Sequence, residues 1–99
     1  MTLKLLIHAP TENALVRARR NLLNFLAAEP EAEVELVVNA AAVRVVLEQP
    51  DPETDRYLLL CENSLRNAGL KSSRGHRTVG AAIHHISKRQ SEGWSYFRA

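Results

Sequence analysis

A chain of 99 residues with an apolar fraction of 45% supports one domain with an ordinary globular core. A net charge of +2, with four histidines left uncounted, falls well short of the basic excess of a dedicated nucleic-acid binder. One cysteine excludes an internal disulfide, and no run approaches the roughly 18 apolar residues of a membrane span, so a soluble cytoplasmic protein is expected.

Leu3 to Ile7 is a short apolar run containing Lys4, and Pro10 closes it by removing a donor and fixing φ, which predicts the first strand. Polar residues arrive by His8, so the start has no long h-region with a cleavage site. From Thr11 the period changes. Leu15, Ala18, Leu22 and Leu26 fall on one helical face, Thr11 suits the N-cap, and Pro30 marks the exit, which predicts a helix from about Glu12 to Ala28.

Glu33 to Val38 begins with alternation and ends apolar, as in a strand more exposed than the later Cys61 strand. Asn39 ends it and is placed to cap a short helix from Ala40 to Gln49, which Pro50-Asp51-Pro52 stops. After Arg56 comes a continuous apolar run too short for a typical helix, read as a strand buried on both faces with Cys61 its last residue. Asn63 or Ser64 would cap the helix Leu65 to Leu70. Lys71 to Gly75 is polar and basic and reads as an exposed loop, with His76 to Val79 a weak fourth strand. Gly80 to Glu92 restores a helical pattern with Ala82, Ile83, Ile86 and Gln90 on one side. Gly93 is a natural stop, and Trp94 to Phe97 finishes as an aromatic strand.

Strands and helices alternating in this way predict a three-layer α/β domain over residues 1–99, with a mainly parallel five-stranded sheet. Right-handed crossovers place helices on both faces and bring His8, Asn39 and Cys61 to one carboxyl edge, where such sheets bind ligands. A thiol near a helix N-terminus is ionised easily and is a good nucleophile. An isolated strand-end cysteine more often only packs, and Asn39, Asn63 and Ser64 also suit helix caps.

Two other functions are disfavoured. His84 and His85, as helix neighbours, point about 100° apart and do not face one site, and a lone cysteine without carboxylates at ligand spacing argues against zinc. No metal or other cofactor is called for. The basic residues Arg17, Arg19, Arg20 and Lys71 to Arg77 lack an interleaved aromatic platform, so they read as a solvated surface rather than a nucleic-acid site.

Cys61-Glu62-Asn63-Ser64-Leu65, together with Lys88-Arg89-Gln90-Ser91-Glu92-Gly93-Trp94-Ser95-Tyr96, resembles the small single-domain branch of the DsrE/DsrF-like family. That branch shows C-x-N-[ST]-L after the third strand and R-Q-x-E-G-[YW]-x-Y at the end. The resemblance covers nearly the whole chain, with Ala40 standing where relatives often have glycine and a short polar segment from Leu70 to Val79. It implies a flavodoxin-like parallel sheet, assembly into homotrimers or hexamers, and a strand-end cysteine, here Cys61, that carries a persulfide in a sulfur relay with protein partners. His8, Asn39, Asn63 and Ser64 would surround it as binding residues. The alternative is a non-catalytic oligomeric module that binds a small ligand or a protein at the same edge.

Overall fold

The computed structural model describes residues 2–72 and 75–99. Its elements follow the predicted order: β1 (Lys4–Ala9), α1 (Glu12–Ala28), β2 (Glu33–Val38), α2 (Ala42–Glu48), β3 (Leu58–Cys61), α3 (Glu62–Asn67), β4 (Thr78–Val79), α4 (Ala82–Ser91) and β5 (Ser95–Arg98). A short 3-10 turn, Asp55–Tyr57, leads into β3. Ser73 and Arg74, part of the expected loop, lie outside the described residues.

All five strands are parallel, in the order β4-β3-β2-β1-β5. This is the three-layer, flavodoxin-like α/β architecture expected. Three successive crossovers step from β1 to β4 in one direction. The fourth, through α4, returns across the sheet to the far side of β1. Crossovers of one hand that run in opposite directions place their helices on opposite faces. Accordingly α1, α2 and α3 pack together on one face, against Ile7, Val34, Leu36, Val38, Leu58 and Leu60. The other face, with Leu6, Val37, Leu59 and Cys61, packs against Ala82 and Ile86 of α4, Val79 and the indole of Trp94.

The first layer is built as its sequence dictates. Thr11 caps α1 by accepting the Ala14 N–H at 3.1 Å, and Leu15, Ala18 and Leu22 are fully buried. Burying each of those leucines stabilises the fold by about 2–3 kcal/mol.

β2 is more exposed than β3 through Glu33 alone: it sits in the middle of the sheet, and every residue after Glu33 is buried, Glu35 included. Three expectations are corrected. Neither Asn63 nor Ser64 caps α3, because the helix starts directly after β3 with Cys61 itself at the N-cap. Asn39 does not cap α2 with its side chain, since that helix starts at Ala42 without a side-chain cap. The third concerns α4. Ile83 is 81% exposed, and the residues turned toward the sheet are Ala82, His85, Ile86 and Arg89.

Candidate functional site at the carboxyl edge

The connection leaving β3 runs to α3 on one face, while that leaving β4 runs to α4 on the other. A crevice opens where neighbouring strands part in this way, and open parallel sheets bind ligands there. Cys61 is the last residue of β3 at that divergence. The starts of α3 and α4 both approach its sulfur. Burial pushes the thiol up, but hydrogen bonding from the Ser64 hydroxyl, and from the Ser64, Ala82 and Asn63 backbone, outweighs it, the Asn63 N–H being shared with the Gly80 carbonyl at 3.3 Å. The balance holds Cys61 below the ordinary thiol value.

The Ser64 hydroxyl has a defined role. Its oxygen accepts the Ala40 N–H at 2.8 Å, which leaves its proton for the sulfur. Ala40 reaches that position in the left-handed region, at φ 51°. The turn between β2 and α2 is thereby tied to the thiol of the next strand.

Beside this lies a second polar group. His8 Nε2 is 2.8 Å from Asn39 Oδ1, and His8 Nδ1 is 2.7 Å from the Tyr96 hydroxyl. Asn39 Oδ1 can only accept, so Nε2 carries the proton and Nδ1 accepts from Tyr96. The histidine is then fully engaged, and the Asn39 amide keeps its NH2 as a donor. These three residues line a cavity of about 310 Å³ with Ala82, Ile83 and Ile86. Its walls are mostly apolar, and it borders Cys61 through Ala82, which packs with the cysteine.

The sequence-predicted residues thus divide into two groups. Cys61 and Ser64 form one, and His8 and Asn39 the other. The Asn63 backbone N–H bonds the Gly80 carbonyl at 3.3 Å and also favours the thiolate, while its exposed side chain accepts from Arg66. Tyr96 and Ala82 were missed. Tyr96 was legible in part, because β5 pairs with β1 and alternation puts Tyr96 on the His8 side of the sheet.

A third cluster was missed entirely. Glu35, on the face of β2 covered by α4, is 8% exposed and receives His85 Nε2 at 2.7 Å. Arg89 donates to both of its oxygens, at 3.1 and 2.8 Å. Arg89 also reaches Glu92 at 3.0 Å and lies 4.8 Å over the Trp94 ring. His84, the other half of the histidine pair, is exposed. A larger cavity of about 560 Å³ opens at the amino edge beside Glu35, Arg89 and Trp94. Lys4 there pairs with Glu33 and Arg89 with Glu35 and Glu92, while Arg77 donates to the Arg56 carbonyl.

No family model matches the chain, and no curated protein matches it. Among solved structures, the chain is similar to MTH1491, a protein of unknown function from Methanobacterium thermoautotrophicum. The two share 23% identity over 98% of this chain and 99% of that one, with a TM-score of 0.84. What they share is the fold. No helix among the described residues is long and apolar enough to cross a membrane.

Proposed function

We propose that this chain is a persulfide carrier of the DsrE/DsrF-like kind, working in the cytoplasm with Cys61 as the sulfur-bearing residue. The observation that carries the reading is the convergence of the Ser64 hydroxyl and three backbone N–H groups on one strand-end sulfur. In the loading step the Cys61 thiolate attacks the terminal sulfur of a donor persulfide. The donor's S–S bond breaks, its electron pair leaves with the donor thiolate, and Cys61 becomes Cys–S–SH. The Asn39 NH2, held in place by His8, orients the incoming group. In the unloading step an acceptor thiolate attacks the outer sulfur and Cys61 departs as a thiolate. A thiol held below its ordinary value leaves faster, so the same donors that ease loading ease unloading.

The test is alkylation of native protein against pH. The midpoint should lie clearly below the free-thiol reference of about 8.5. Incubation with a persulfide donor should then add one sulfur atom by intact mass, and Cys61→Ser should add none.

A second reading is favoured by one observation: Cys61 is only 4% exposed, whereas Ile83 beside it is 81% exposed. On that reading the edge is a non-catalytic surface that binds a small ligand or a protein, and the thiol only packs. A native Cys61 that resists alkylation at every pH short of unfolding selects it. Under either reading we propose a homo-oligomer, a trimer or a hexamer built from two trimers. The half-exposed Tyr96 and Phe97, with Ile83, support it as apolar surface for a partner copy.

A further inference from the structure

Helix α4 is attached to the sheet in an unusual way. Where α1 buries four residues, α4 buries only Ala82, and Ile86 is half-buried. The rest of its hold is polar. His85 and Arg89, one turn apart on the inner side, place three hydrogen bonds on the buried Glu35 carboxylate of β2. Arg89 continues to Glu92 and stacks over Trp94. Short segments containing Gly80 and Gly93 join the helix to β4 and β5, and Gly93 adopts φ 93°, a conformation open mainly to glycine. Cys61 lies under the N-terminal end of this helix, packed against Ala82 and receiving its N–H.

We propose that α4 is a cover over Cys61, latched by the Glu35–His85–Arg89 cluster, and that its release is what admits the sulfur donor. Local opening of one weakly packed element costs far less than global unfolding. A latch centred on one buried carboxylate is weakened most when that carboxylate is removed, because all three bonds then go together, whereas loss of His85 leaves Glu35 held by Arg89. Opening would uncover the sulfur while the Ser64 and Asn63 donors stay on α3. The inference draws its meaning from the proposed reactivity of Cys61, but it can fail separately.

The experiment compares wild type, Glu35→Gln and His85→Ala by hydrogen exchange and by native-state alkylation of Cys61. Alkylation is run at a pH above the thiol midpoint, so that changes in ionisation do not count. In Glu35→Gln, exchange of the α4 amides and alkylation should both accelerate by about tenfold or more, the size expected when a buried pair loses a partner. The amides of β1, β2 and β3 should keep their wild-type rates. His85→Ala, which removes one of the three bonds, should fall between, and it carries the test if Glu35→Gln does not fold. Three results overturn the proposal: α4 exchange unchanged in the folded variants, α4 and the central strands accelerating together, or α4 opening without faster alkylation. A Cys61 that becomes alkylatable yet gains no sulfur from a persulfide donor supports the cover and removes the carrier function.

Discussion

Ala40 is the residue on which the cysteine's surroundings turn. Its left-handed backbone lets its N–H occupy the Ser64 oxygen, which in turn aims the Ser64 proton at the sulfur. A side chain in that region is strained, and glycine is not. Ala40→Gly is therefore expected to raise stability by about 0.5–1 kcal/mol, read as a higher urea midpoint with an unchanged slope. Ser64→Ala should act on chemistry instead. It removes the strongest of the donors to Sγ, so the alkylation midpoint of Cys61 should move upward, while Ser64→Thr, which keeps a hydroxyl, should restore part of the shift. The sequence made Ser64 visible as a helix cap and, through the resemblance, as a residue near Cys61, but not with its partner. Its real partner lies 24 residues earlier, in a turn whose conformation no local pattern reveals.

At the scale of elements, legibility followed how local the determinants are. The bounds of α1 were readable because its cap, its apolar stripe and the proline beyond it all lie within its own segment. The burial of Glu35 was not legible because the alternation of Glu33 and Glu35 mimics a strand with a wet face. The groups that make a buried Glu35 tolerable arrive from α4, 50 and 54 residues away. The same blindness put Ile83 on the inner side of α4, since hydropathy favours isoleucine there and does not register a charged latch. The cluster carries a pH dependence. Burial pushes the Glu35 carboxyl up, but hydrogen bonds and charge from Arg89 and His85 outweigh it and hold the group below the usual carboxylate range. Glu35 thus stabilises the fold fully above the unfolded-chain value of about 4.3, and the contribution is lost as pH falls through its lower native value. Between about pH 5 and pH 3 the urea midpoint of wild type should fall more steeply than that of Glu35→Gln.

For the whole molecule, the strand order decides more than any single contact. It divides the layers unequally: three helices cover one face, and a single helix, thinly packed, covers the other. The alternation of elements made the layers and the shared edge legible, bringing His8, Asn39 and Cys61 to one end. It gave no way to know that β5 would return beside β1, and so that Tyr96 would meet His8. The lightly covered face and the exposed β5 edge also bear on assembly. Light scattering at micromolar concentration should give the mass of a trimer or hexamer, and a clean monomer would remove that expectation.

The return of the last crossover also orders events in time. β1 pairs with β2, some 30 positions on, but gains its second neighbour only when β5, some 90 positions on, has been made. During synthesis the layer of α1, α2 and α3 can close over β1, β2 and β3 while the opposite face stays bare. Leu6, Val37, Leu59 and the Cys61 thiol remain open to chaperones, oxidants and neighbouring chains until residues 82–98 fold back over them. The stretch that completes the sheet is also the stretch that shields its sulfur, so a nascent chain passes through a state in which the cysteine is at its most accessible.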